Sequence, residues 1–211
     1  DANGNPVRDS AASSFGLDWF ANSEHGGAFD RDRFGRQLQQ TMWRWKSLRD
    51  LSWPAVDSLR QVYPQRFLFQ GLEWNVPAHD HASVGIIASD PDPISRFEFF
   101  FDDADRDTQG AGWTDAPGKD RSSSHAKALA GARWLREHHG DSSWIVINHP
   151  SRLLRSRIQD LRDFQDAGGP VFLGIEAIPG HQKAASRGGY SYTPLSPALV
   201  ADARTHGGVD R

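Results

Sequence analysis

The 211-residue sequence contains no cysteine, a single methionine, four lysines and five glutamates. Without cysteine there is no disulfide framework, no thiolate nucleophile and no Cys-ligated zinc, so any bound metal has to be held by histidines and carboxylates. Long apolar runs are missing too. Stretches such as Trp144-Ile145-Val146-Ile147 fall far short of the ~20 residues of a membrane span, and the polar start Asp1-Ala2-Asn3-Gly4 lacks the plan of a signal peptide. A soluble protein is expected, with the cytoplasm preferred to export. The formal charge of -3 leaves no basic stripe to track a nucleic-acid backbone, and no Gly-rich phosphate loop of Walker or Rossmann type is present. Extended DNA or RNA is therefore not an expected partner.

What the chain has is aromatic bulk: eight Trp and twelve Phe supply the apolar area that disordered chains lack, despite a hydrophobic content of only 37%. Residues 1–211 fit one domain of ordinary size. Strand-like runs lie at Leu17 to Ala21, Arg66 to Glu73, Ala82 to Ala88, Phe97 to Phe101, Trp144 to Asn148 and Val171 to Ala177. Between them, Phe34, Leu38, Met42, Trp45 and Leu48 recur at helical steps, and Pro54 opens a second helix. Ser124 can cap a helix ending at Gly140. Ile158, Leu161 and Phe164 mark another ending at Gly168, and Ser196-Pro197 starts a last one that stops at Gly207. Residues 106–124 read as a surface loop. This alternation predicts an α/β fold, a parallel sheet or barrel.

Placed on that scaffold, titratable residues gather at strand ends. Glu24-His25 follows the first strand, Glu73 ends the second, His149 follows Trp144 to Asn148, and Glu176 closes the sixth, with His181 five residues on. Strand C-termini share one face in parallel sheets and barrels, and ligands bind there. His79 and His81, before the next strand, can lie beside Glu73, and His79 competes with His81 for that place. Imidazoles and carboxylates on one rim suit zinc, manganese or iron. His125, His138, His139 and His206 occupy helix or helix-end positions and read as structural. Arg152, three residues past His149, could bind a phosphate oxygen pair. Arg31, Arg33, Lys183 and Arg187 are weaker candidates for the same role. Trp74 could stack on a base or sugar, whereas Trp113 reads as a loop anchor.

The stretches Gly16-Leu17-Asp18-Trp19-Phe20-Ala21-Asn22-Ser23-Glu24-His25, Gly71-Leu72-Glu73-Trp74, His81-Ala82-Ser83-Val84-Gly85-Ile86, Asn148-His149-Pro150 and Gly174-Ile175-Glu176 resemble, in order, motifs of the PHP (polymerase and histidinol phosphatase) superfamily. The resemblance implies a distorted seven-stranded β/α barrel, TIM-like, that hydrolyses phosphoesters with two or three divalent ions (Zn, Mn or Fe) at its strand C-termini. It implies His25, Glu73, His81 and His149 as metal ligands, Glu73 bridging the ions; Glu73 and, from its place after His149, Arg152 are the expected catalytic residues. Glu176, His181 and His79 stand as further metal candidates. A small phosphorylated substrate is the partner it implies. The family's opening His-x-His and closing Asp-x-His are missing, so the chain is expected to be a barrel incomplete at both ends. Two alternatives accompany this reading. One is a non-catalytic PHP-like scaffold or binding module. The other is an amidohydrolase-like metallohydrolase, disfavoured because no lysine falls at a strand end.

Overall fold

The computed structural model describes residues 18–31, 36–150 and 156–176. Strand β1 (Trp19–His25) is followed by a small hairpin, β2 (Ala28–Arg31) and β3 (Gln37–Trp43). Helix α1 then runs as Arg44–Ser47, a π-helical turn Leu48–Ser52 and Trp53–Val62. Strands β4 (Phe67–Asn75) and β5 (His81–Ile86) come next, then helices α2 (Asp92–Phe101) and α3 (His125–His139), strand β6 (Ser143–Asn148), helix α4 (Ile158–Gly168) and strand β7 (Phe172–Ile175).

The barrel expectation is overturned. Five strands form one open sheet in the order β1-β4-β5-β6-β7, and β2 and β3 form a separate pair. The sheet is mixed rather than parallel: β1 with β4 and β6 with β7 run parallel, while β5 is antiparallel to both of its neighbours. The cause is local. Only Val76 to Asp80 separate β4 from β5, and so short a connection cannot make the crossover that parallel neighbours need.

Further expectations fail for physical reasons. The run Phe97 to Phe101 is the second half of α2, opened by Pro93 in its first turn. It reads as a strand because it is apolar on more than one side. Ile94 and Phe97 enter the main core, whereas Phe99 joins a second cluster with Trp45 and Ala116, against which Trp113 packs. The helix foreseen from Phe34 begins instead at Arg44, because Met42 and Trp43 pair across the hairpin with Phe29 and Ala28. Helix α1 also continues past Pro54 without the expected break. The proline lies in the first turn of Trp53–Val62, where a missing N–H is tolerated, just after the π turn. Within residues 106–124 the loop is not wholly at the surface, since Lys119 is buried. The expected helix from Ser196 lies outside the described residues.

The main core lies on one face of the sheet. Leu68, Leu72 and Trp74 of β4, Val84 of β5 and Ile145 of β6 pack against α2, α3 and α4. Full burial of each such side chain is worth roughly 1.5–3 kcal/mol. Trp74, which the sequence offers for stacking on a base or sugar, is instead fully buried, packs against Phe97 and donates its indole N–H to the Phe101 carbonyl at 2.9 Å. The opposite face, among the described residues, carries exposed Trp19, Phe67 and Leu173 at one end and His25, Glu73 and His81 at the other. A cleft of about 590 Å³ along that face is lined by Trp19, Ala21, Ser23, Ser83 and Trp144. No helix among the described residues is long and apolar enough to cross a membrane.

Ser124 caps α3 as the sequence implies. Its extended backbone lets the hydroxyl accept from the Lys127 N–H at 3.2 Å, while Arg136, His138 and His139 complement the other end. Ser124→Ala is expected to cost about 1 kcal/mol, read as a lower urea midpoint at unchanged slope.

Candidate metal centre

The period of two along each strand determines which side chains reach the open face. On β1, Glu24 turns towards α1, where it accepts from Ser52 Oγ and from Arg44 at 2.8 Å, and His25 therefore faces the other way. His25 pairs in register with Glu73 of the parallel strand β4. His149 follows the end of β6 and Glu176 the end of β7, on the same edge of the sheet. β5 is antiparallel, so it brings His81 to that edge from its start, opposite Asn75 and Asn148.

Four of the expected residues therefore meet. His25, Glu73 and His81 each offer a ligand atom, and these atoms lie within 4.8 Å of one another; Asp80, His81 and His149 form a second such group that shares His81. His81 Nδ1 stands 3.3 Å from Glu73 Oε1 and 3.4 Å from Asp80 Oδ1, and His149 Nδ1 stands 3.4 Å from Asp80 Oδ2. The three rings form a row, His25 to His81 at 4.6 Å and His81 to His149 at 5.4 Å between centroids, each pair edge to face. His25 is exposed, Glu73 and His81 half-buried, and Asp80 and His149 buried. The row therefore runs from solvent into the protein.

The electrostatics match. The hydrogen bond from His81 holds the Glu73 carboxyl below the usual carboxylate range against the opposing effect of burial, and the charges of His81, His25 and His149 add to the lowering. Donors bound tetrahedrally to one ion at about 2.0–2.1 Å lie roughly 3.3 Å apart. The 3.3 and 3.4 Å contacts around His81 have that spacing, and the donor types suit zinc, manganese or iron. The residues present fit a divalent ion.

Other elements hold this row in place. His149 has a left-handed backbone (φ 30°), and Glu176 Oε2 accepts its N–H at 2.9 Å. Glu176 thus positions the His149 backbone through one of its two carboxylate oxygens. Behind His25, the buried Glu98 accepts from the N–H of Gly27 at 2.7 Å and of Trp45 at 3.0 Å. Asp102 accepts from Asn75 N at 2.8 Å, next to Trp74 and opposite His81. Only glycine fits at position 26, since a Cβ there would stand 1.9 Å from Asp102 Oδ2.

The structure chooses between the two neighbouring histidines. Ala78, with φ 66°, turns the β4–β5 connection so that His79 leaves the rim. His79 Nε2 lies 2.8 Å from His125 Nδ1 and its ring packs against Phe164. Asp80 was missed in the sequence although it sits between the two histidines considered. Its signal was the alternation His79-Asp80-His81, in which one turn could aim Asp80 and His81 at the same rim. His181, Arg152, Arg33, Lys183, Arg187 and His206 lie outside the described residues, as does the side chain of Arg31.

Among known proteins, no family model matches the chain, and no curated protein or solved structure matches it.

Proposed function

We propose that the chain is a metal-dependent phosphoesterase that hydrolyses a small phosphate ester on divalent ions held by His25, Glu73, His81, His149 and Asp80. The observation that carries this reading is the position of His81, shared by two ligand groups that each include a carboxylate. One Cys-free cluster of imidazoles and acids on an open sheet rim suits more than one ion where the ions divide these ligands, since a neutral imidazole nitrogen gives its lone pair to a single ion. It also agrees with the resemblance of the five stretches to PHP superfamily motifs in their order, a resemblance that here concerns the ligands and not a barrel. Divalent ions in such a site lower the pKa of a water towards neutrality and neutralise charge developing on phosphoryl oxygens.

The chain's own residues supply orientation. Asp80 faces one ring nitrogen of His81 and one of His149 through its two oxygens, which fixes how both imidazoles are presented. Glu176 holds the backbone turn that aims His149. The Glu73 carboxylate keeps its negative charge across the neutral range, stands 3.3 Å from His81 Nδ1 and would be the bridging ligand that the resemblance implies. Arg152 is assigned to the phosphoryl oxygens.

The test is metal content by elemental analysis of the protein purified with manganese or zinc, together with hydrolysis of p-nitrophenyl phosphate. Bound metal at one or more equivalents is expected, with hydrolysis that a chelator abolishes and added manganese restores. A chain that binds no metal and hydrolyses nothing is a scaffold or binding module instead.

A further inference from the structure

A second cluster of the same chemistry lies on the helical layer, away from the rim. His125 opens α3, and Asp160 and Asp163 lie one turn apart on α4. One ligand atom from each of the three lies within 4.8 Å of the others. We propose that His125, Asp160 and Asp163 form a separate binding site for a single zinc-type divalent ion, with His79 as its positioning residue.

The two nitrogens of His125 have distinct surroundings. Nδ1 lies 2.8 Å from His79 Nε2, and Nε2 lies 3.1 Å from Asp163 Oδ2. The nitrogen that faces the carboxylates therefore belongs to a ring already oriented through its other nitrogen, the arrangement usual for an imidazole ligand. The Nε2 to Oδ2 distance is close to the roughly 3.3 Å expected of two donors on one ion. The remaining contacts leave donor capacity. Asp163 Oδ1 accepts from Gln159 at 2.8 Å, and Oδ2 faces only the imidazole in the contacts described. Asp160 Oδ2 accepts from Arg157 N and Nε and Oδ1 from Nη2, so its charge is partly offset and the lone pair left for an ion is on Oδ1. With neutral imidazoles, two carboxylates and one guanidinium, the site is one charge negative. His125 and Asp163 each keep about 30% of their side chains exposed, so an ion can enter from solvent. Hard cations prefer all-oxygen sets, whereas one imidazole with two carboxylates suits zinc.

An ion here would join the first residue of α3 to α4. It would also anchor, through His125, the turn in which His79 directly precedes Asp80 and His81. The site itself does not depend on the phosphoesterase reading.

The experiment separates the two. In the chain carrying Glu73→Gln and His81→Ala, the rim is disabled. After chelation and dialysis that protein is expected to bind one zinc equivalent, measured by calorimetric titration. Zinc at about 100 times its Kd is expected to raise the unfolding midpoint by roughly 5–10 °C. Adding Asp163→Asn should remove both effects. Asp163 is partly exposed, so Asp163→Asn alone in the otherwise unaltered chain is a folded second test, with binding expected to fall by one equivalent. No zinc on the rim-disabled protein, or unchanged stoichiometry in Asp163→Asn, would overturn the site and leave His79, His125 and Asp163 as a hydrogen-bonded relay only.

Discussion

Glu73→Gln is expected to lower phosphoester turnover by at least about 100-fold while leaving the chain folded. Altering groups that only orient metal ligands typically costs 10- to 100-fold in affinity or activity, and Glu73 is itself a proposed ligand, so that range is a lower bound. The amide keeps the shape of the side chain and removes its charge, and with it the anionic ligand proposed to bridge the ions. Stability should change little. Glu73 is half-buried on an open face, and the contact it loses is the 3.3 Å one with His81, a loss of about 1 kcal/mol. The measurements are kcat, metal content and the urea midpoint on the same preparation. Turnover at the unaltered level would remove Glu73 from the site. Loss of turnover with full metal content would assign it to the reacting atoms rather than to metal retention.

How much of this was legible follows from the range of each interaction. Strands β1, β4, β5, β6 and β7 were foreseen within a few residues, because β-branched and aromatic runs bounded by turn residues carry their own signal. That His25, Glu73, His81 and His149 share an edge was also legible, since each stands at the end of such a run and ends of neighbouring strands are close in space whatever the sheet's closure. Closure was misjudged although the sequence carried a signal against it. Strand direction is set by connections, and the short stretch from Val76 to Asp80 already required β4 and β5 to be antiparallel, which a parallel barrel could not accommodate. The rivalry of His79 and His81 turned on one left-handed residue, Ala78, whose conformation no composition argument supplies. The supports escaped for a different reason. Glu98 was hidden inside a phenylalanine run taken for a strand, and Asp102 and Asp105, just after that run, were not singled out. All three are buried, a placement that sequence hydropathy argues against.

That buried acidic group carries the second large effect. Glu98→Ala is expected to cost about 3 kcal/mol in urea unfolding, because it leaves the N–H groups of Gly27 and Trp45 without their acceptor and removes a fully buried side chain. A loss below ~1 kcal/mol would mean that those amides find other partners. The same cluster sets a pH dependence with a definite sign. Burial pushes Glu98 well above the carboxylate range, helped by the charges of Asp102 and Asp105, and burial pushes Asp102 up to about 6 against the hydrogen bonds from Asn75 and Ala104. Lys119, 3.0 Å from Asp105 Oδ1 in a pair with fully buried side chains, limits but does not cancel the crowding, since Asp105 is also raised by burial. A carboxyl whose folded value lies above its unfolded one contributes fully below the unfolded value and loses that contribution as pH rises through the folded one. For Asp102 the loss runs from near 4 through about 6, and for Glu98 it continues above that range. Glu73 has the opposite sign, but its contribution is lost only as pH falls through a value below the usual carboxylate range. Stability is therefore expected to fall as pH rises from about 4 through about 6, with Glu98 extending the fall above that range, and the slope should be smaller in Glu98→Ala. A flat profile in both proteins would show that the cluster ionises without penalty. The strut that holds Gly27 and Trp45 beside His25 would then owe its strength to packing rather than to a retained proton.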